Sequence, residues 1–481
     1  MADSGMLSGW EMVVGLEVHT ELLTATKLFC GCANEFGAEP NTNVCPVCLG
    51  LPGSLPVLNQ AAVDLAVRIG VALHASVGPS LFHRKNYFYP DMPKDYQISQ
   101  YDEPICSNGW LEPPGHPRVG IVRAHLEEDT GKTSHMGGDG RIHGAERSLV
   151  DYNRAGVPLV EIVSAPDIWS SGQARAYVSE LRAILIAIGA SDGRMEEGSL
   201  RVDANVSVMR KGATSLGTRC EIKNLNSLRS LGRAIDYEAR RQVDLLNSGG
   251  VVEQETRHWN ESTGRTASMR SKEEAFDYRY FPDPDLVPLD PGEDWVDRVR
   301  LNMAPLPADR RAALEAAVGE DASSAIAGQI ATVVELGLDG LVTAAISEGV
   351  KARLAVARAA NEAAAAADAA RSLDAGRFVQ LLKMEDSAQL SASQTKAVLA
   401  ELLAGAEGSP EEVAARLGLG SMDSAVLDAA LDAVIQAHPE EWERFRGGDN
   451  KVIGFLVGQV MRSTQGKADG KAVRAGLASR I

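Results

Sequence analysis

Leu200-Arg201-Val202-Asp203-Ala204-Asn205-Val206-Ser207-Val208 alternates apolar and polar side chains without a break. On a strand, the apolar members line one face, while Arg201, Asp203, Asn205 and Ser207 line the other. The segment Gly15-Leu16-Glu17-Val18-His19-Thr20-Glu21 repeats the pattern, with Glu17, His19 and Glu21 on one face and Leu16 and Val18 on the other. Two sheet faces this rich in ionisable and amide groups predict a cleft wall. Around them, from Trp10 to about Asp290, short alternating runs sit between Gly- and Pro-bearing turns, as an antiparallel sheet requires. Beyond Phe281-Pro282-Asp283-Pro284-Asp285 and Asp290-Pro291-Gly292, alanine and leucine at helical spacing take over. The fold class is therefore α+β: a sheet-bearing domain over 1–292, then an all-α helical domain over 293–408. A small helical tail domain over 409–481 follows, opened by Ser409 as N-cap, Pro410, and Glu411 and Glu412 in the first turn.

A chain of 481 residues exceeds what one core organises, and 44% hydrophobic with 23% charged residues is the composition of a globular protein. No uncharged apolar run approaches the roughly 18 residues that span a bilayer, and the first residues lack a basic start followed by an apolar stretch. A cytoplasmic protein with no membrane association is expected. The formal charge of -17 argues against broad adhesion to nucleic acid, because phosphate affinity comes from Lys and Arg. Any RNA contact must be local. One candidate is the tail after Gly447, where Lys451, Arg462, Lys467, Lys471, Arg474 and Arg480 outnumber Asp449 and Asp469.

Four of the six cysteines are packed into one short loop as Cys30-Gly31-Cys32, twelve residues, then Cys45-Pro46-Val47-Cys48. Two close pairs on separate turns converge on one tetrahedral ion, and four thiolates close the coordination sphere of a structural zinc. In Pro158-Leu159-Val160-Glu161-Ile162-Val163 a single carboxylate interrupts an apolar run that reads as a buried strand. Glu161 there needs a cation, a metal or a proton. Alternation places Glu128, within Glu127-Glu128-Asp129, beside Val122, Ala124 and Leu126, which raises the same question. Carboxylates with few soft ligands suit magnesium, which is held by one or two carboxylates plus nucleotide phosphates, so an ATP-handling site is a working expectation. The chain has no Gly-x-x-x-x-Gly-Lys-[Ser/Thr] loop and no kinase His-Arg-Asp signature. Nucleotide would have to lie on the sheet itself.

Several unusual strings recur in one order: Arg84 to Asp91, His125 to Asp129, Asp151 to Glu161, Met195 to Ser199, Glu221 to Asn226, Gln254 to Arg257, Asp277 to Pro282, and Lys451 to Met461. Together with Gly15 to His19, they make the chain resemble the B-subunit family of the bacterial glutamyl/aspartyl-tRNA amidotransferase, the GatCAB complex. The resemblance implies a cradle domain distantly like glutamine synthetase, a helical domain and a tRNA-binding tail. It also implies ATP-dependent phosphorylation of the side-chain carboxylate of Glu-tRNA(Gln) or Asp-tRNA(Asn), followed by amidation with ammonia. The ammonia would come from an amidase-type A subunit that hydrolyses glutamine, in a heterotrimer completed by a C subunit. Carried over by motif position, Mg2+ ligands and catalytic residues fall on Glu17, His19, Glu128 and Glu161. Lys85 and Lys94 match positions along the ammonia route, and Arg201, Asp203 and Asn205, on the polar face of their strand, are taken as further cleft contacts that bind the cofactor.

Two other classes of function remain open on the residues. One is a zinc-stapled tRNA-binding scaffold without its own active site. The other is a free-standing ligase acting on a small carboxylate.

Overall fold

The computed structural model describes residues 7–137, 144–269, 278–319, 324–420, 424–464, 468 and 470–481. Asp277, at the head of one family string, lies outside the described residues, as do Lys467 and Asp469 of the tail. The chain divides into two compact units, Met1–Leu306 and Pro307–Ile481.

In the first unit the strands are β1 (Trp10–Glu21), β2 (Ser76–Val77), β3 (His83–Asn86), β4 (Tyr96–Ser99), β5 (Cys106–Leu111), β6 (Val119–Glu128) and β7 (Lys132–Met136). They continue as β8 (Arg147–Asp151), β9 (Pro158–Ser164), β10 (Leu200–Arg210), β11 (Cys220–Lys223), β12 (Thr256–Asn260), β13 (Arg265–Ser268) and β14 (Phe281–Pro282). Twelve of these form one sheet in the order β13-β12-β11-β10-β1-β9-β6-β4-β3-β14, with β2 and β5 branching from β6, while β7 and β8 make a separate hairpin.

β1 and β10 pair antiparallel with Glu17 opposite Asp203 and His19 opposite Arg201. Their alternation sends Leu16, Val18, Val202, Ala204 and Val206 into the core, all at 2% exposure or less. The polar halves share the opposite face, as the period of two dictates. Helices α1 (Gln60–Ala72), α2 (Ser171–Ala187) and α3 (Leu228–Asn247) cover the apolar face. Each begins at a side-chain cap: Asn59 accepts from Ala61, Ser170 from Gln173 and Ser227 from Ser230. The expected antiparallel sheet proves mixed, because β11 and β12 run parallel. The cause is α3, which lies between them in sequence and supplies the crossover that a parallel pair needs. α4 (Gly292–Leu301) also belongs to this unit, with Val299 in its core and Trp295 Nε1 donating to Asp64 at 3.1 Å.

The second unit is helical throughout its described residues. One core gathers Ile330, Val333, Val342, Val356, Phe378, Leu382 and Leu399, and another gathers Leu431, Trp442, Phe445, Leu456, Val460 and Val473. Ser409 and Glu412 form a capping box at the start of the helix Pro410–Arg416. Among the described residues no single helix is long and apolar enough to cross a membrane.

Candidate functional site

At the middle of the sheet the register sets His19 of β1 beside Glu161 of β9, and Glu161 beside His125 of β6. Glu127 lies two residues further along β6, so it projects from the same face. His19 Nε2 stands 3.5 Å from Glu161 Oε2 and 3.7 Å from Glu127 Oε1. His125 Nε2 makes the mirror-image approach, 3.5 Å from Glu161 and 3.7 Å from Glu127. Burial works to raise the pKa of Glu161, but the His19 hydrogen bond and the His125, His19 and Arg123 charges outweigh it and hold the carboxyl well below the usual range. Glu127 is lowered in the same way against its burial, chiefly by His125. Both carboxylates therefore stay ionised. Ligand atoms of His19, Glu127 and Glu161 all lie within 4.8 Å of one another, close enough to share one cation. Two carboxylate oxygens and one imidazole leave room for further oxygen ligands, a set that fits magnesium.

Of the residues expected at this ion, the structure brings together His19 and Glu161. Glu17 shares their face of β1; its Oε1 accepts from Asn205 Nδ2 at 2.9 Å, and burial followed by the Glu161 charge raises its pKa. Glu128 is not brought there. It projects from the opposite, core side of β6 at 2% exposure, ion-paired to Lys94 and accepting from the Ile98 amide at 2.8 Å. The alternation that groups Glu128 with Ala124 and Leu126 is the reason: that face is the core, and its neighbour Glu127 takes the position among the histidines. Glu127 and His125 were legible from the same alternation once the Glu161 face was chosen as reference.

Arg201 grips Asp129 through both terminal nitrogens, at 2.7 and 3.3 Å, and Arg154 Nε approaches the same carboxylate at 3.5 Å. Asp203 holds Lys223 Nζ at 3.1 Å. Asp129, Arg201, Asp203 and Lys223, with His19, Glu127 and Lys85, line an open cleft of about 600 Å³ over the polar face. That volume lies within the range of small-molecule sites. Lys94 lies elsewhere, on a cavity of about 60 Å³ bounded by Cys30, Cys48, Tyr96 and Glu128.

Cys30, Cys32, Cys45 and Cys48 converge, their sulfurs within 4.8 Å of one another. The Cys45 and Cys48 sulfurs are 3.9 Å apart, against the edge of about 3.8 Å that zinc–sulfur bonds of about 2.3 Å give a tetrahedron. Lys27, completely buried, donates to the Asn43 carbonyl at 2.9 Å and approaches Cys48 Sγ at 3.8 Å. A cation placed there lowers the charge of a four-thiolate site. Hydrogen bonding with Cys30, then with the Cys45 amide, and then the Lys27 charge outweigh burial and bring the Cys48 thiol down to about 5. The donor set and spacing fit zinc.

Residues 12–297 match the family described as GatB/GatE catalytic domain, and residues 341–481 match the GatB domain. Relatives named as the B subunit of aspartyl/glutamyl-tRNA(Asn/Gln) amidotransferase include one from Frankia casuarinae, 51% identical over 99% of this chain and 97% of its own length. Those from Thermobifida fusca and Mycolicibacterium smegmatis are 47% and 48% identical, each over at least 98% of this chain and 95% of the relative. Identity at this level along nearly the whole length, with a catalytic-domain match that spans the strands assembling the cluster, makes the chain a member of the GatB family, the B subunits of tRNA-dependent amidotransferases.

Proposed function

We propose that the chain activates the side-chain carboxylate of Glu-tRNA(Gln), Asp-tRNA(Asn) or both by ATP-dependent phosphorylation, and then amidates it with ammonia delivered from a glutaminase A subunit in a complex with a C subunit. The single observation that carries this reading is the His19–Glu127–Glu161 cluster at the rim of a cleft bordered by Arg201, Lys223 and Lys85. A carboxylate is a poor electrophile, and converting it to a mixed anhydride gives ammonia a phosphate to displace. Magnesium, when bound, would neutralise phosphoryl charge. His19, Glu127 and Glu161 would hold it, with Glu17 beside them. Arg201, braced by Asp129, and Lys223, braced by Asp203 and Glu221, keep fixed cations on the β10 and β11 side, where ATP phosphates need them. Asn205 orients Glu17.

The ammonia route is part of the same reading. In support of it, Lys94 and Glu128 border the small cavity, and Gln97, which lines the cleft, donates to the Glu128 carbonyl at 2.7 Å. Lys85 lies on the cleft side. The tail over 409–481 would hold tRNA, zinc in the four-cysteine loop would be structural, and the sheet would have the cradle form distantly like glutamine synthetase. Function in the cytoplasm follows from the tRNA substrate.

The test combines the chain with its A and C partners, glutamine, ATP, magnesium and misacylated tRNA. Amidated aminoacyl-tRNA is the expected product, and Glu161→Gln should abolish it while the partner still hydrolyses glutamine. Absence of product with either tRNA would sink the reading. Phosphorylation that survives Glu161→Gln would favour a scaffold without its own active site.

A further inference from the structure

The cleft runs past the cluster on both sides, from Lys85 and Gln97 to Lys223 and His258, and its two flanks differ. On the β10–β12 side lie Arg201, Asp203, Lys223 and His258. On the β4–β14 side the polar face carries aromatic rings. Ser99, the last residue of β4, pairs with Glu127 and with His83, and Tyr101 follows two residues on, past the strand's end, where its ring meets His83. Tyr280 immediately precedes β14, whose Phe281 pairs with Arg84. The rings of Tyr101 and Tyr280 stack with centroids 4.1 Å apart and planes 12° apart. Tyr278 meets Tyr280 edge-on at 6.1 Å, and His83 meets Tyr101 edge-on at 6.3 Å. His83 is itself fixed, 3.3 Å from Asp102. The chain of contacts from Glu127 to Ser99 opposite it, to His83 opposite Ser99, and on to Tyr101 and Tyr280 brings the stack to this side of the cluster.

With one face against Tyr280, Tyr101 is still 55% exposed, so its other face is open. We infer that the Tyr101–Tyr280 stack is the platform on which the terminal adenine of the aminoacyl-tRNA lies, so that the attached carboxylate reaches the His19–Glu127–Glu161 cluster. This rests on the proposed reaction and names its acceptor subsite. A flat, open π-face next in a stack selects a flat ring, and base–aromatic stacking needs no hydrogen-bond readout. The terminal base and the side-chain carboxylate are joined through one ribose and one ester, so a base seated beside the cluster delivers the carboxylate to it. In-line phosphoryl transfer also sets donor and acceptor on opposite sides of the moving group. Fixed cations on one flank and stacked rings on the other meet that requirement, with ATP phosphates at the cations.

The reconstituted three-subunit complex supplies the test, with Tyr101→Ala, Tyr101→Phe and Tyr101→Trp. Removing the ring raises the KM for misacylated tRNA about tenfold to a hundredfold and leaves the KM for ATP unchanged. Phe and Trp, which keep a ring, restore the affinity. In a binding assay with uncharged tRNA, the parent complex discriminates against tRNA lacking its terminal adenosine, whereas the Tyr101→Ala complex binds both alike. A rise in the KM for ATP instead would put the nucleotide's adenine on the stack and overturn the inference. So would Phe being as impaired as Ala, or continued discrimination by Tyr101→Ala. A parent complex without ATP-dependent amidation sinks the reaction reading instead, and the binding arm still decides the platform.

Discussion

Two adjacent acids on β6 carry opposite duties, and substitution separates them. Glu127→Gln removes a charged oxygen from the candidate cation site, so amidation should fall by about a hundredfold or more, with part of the loss recovered at higher magnesium. Glu128→Gln leaves that site intact but strands Lys94, 7% exposed, in the core. Breaking a buried pair from one side costs about 3–5 kcal/mol, so its signature is a lower unfolding temperature with an unchanged magnesium requirement. A magnesium titration of amidation beside thermal unfolding of both variants checks this, and a shifted magnesium midpoint for Glu128→Gln would refute it. The sequence made Glu161 visible as a charge in an apolar run and His19 as one tooth of an alternating strand. Choosing between Glu127 and Glu128 needed more: both are carboxylates in the same motif, and the decision rests on which β6 residue stands opposite Glu161 of β9, a matter of pairing register. Tyr101 and Tyr280 were invisible for a related reason, since they meet only when β3, β4 and β14 are side by side.

Elements show the same division between local and non-local information. Alternation in β1 and β10 announced both faces of each strand, and Ser409-Pro410-Glu411-Glu412 announced a helix start that forms as a capping box. Ser409→Ala should therefore cost about 1 kcal/mol, read by denaturant unfolding. The parallel pairing of β11 with β12 was not announced, because direction is set by the path of α3 and not by either strand's residues. The four-cysteine loop is a further element with a clear test. Metal analysis of the purified protein should find zinc, and Cys48→Ser should carry much less while becoming sensitive to proteolysis around residues 30–54. Full zinc content in Cys48→Ser would argue against the four-thiolate site. Gly50 ties this loop to the ion pair behind it: its φ is +66°, and an added Cβ would strike the Lys94 side chain. Gly50→Ala should destabilise the protein by about 1–3 kcal/mol through both effects, and a neutral result in thermal unfolding would contradict this close packing.

Across the whole molecule, a charge of -17 limits how the protein holds RNA. Phosphate contacts release counterions, so the logarithm of affinity falls with that of salt in proportion to the contacts made. For tRNA binding to the assembled complex, the contribution of this chain should give a shallow slope. Neutralising Lys451 and Arg474 should reduce its magnitude by about 1–2, measured as a titration from low to moderate salt; an unchanged slope would move the contact away from the tail. The sequence predicts boundaries after 292 and 408, whereas the two compact units divide after Leu306, because α4 joins the first core. The central position of β1 reaches further than the site. Its neighbours are β9, beginning at Pro158, and β10, ending at Arg210. On the ribosome, at about 5–20 residues per second, β1 emerges about 10–40 s before β10 has been made. Until β9 follows, its Leu16 and Val18 have no sheet to enter and both backbone edges are bare, and the edge that meets β10 stays bare throughout. The nascent chain thus depends on whatever shields an unpaired strand in the cell, and shortage of that help should show first as aggregation of newly made chains, while finished molecules stay folded.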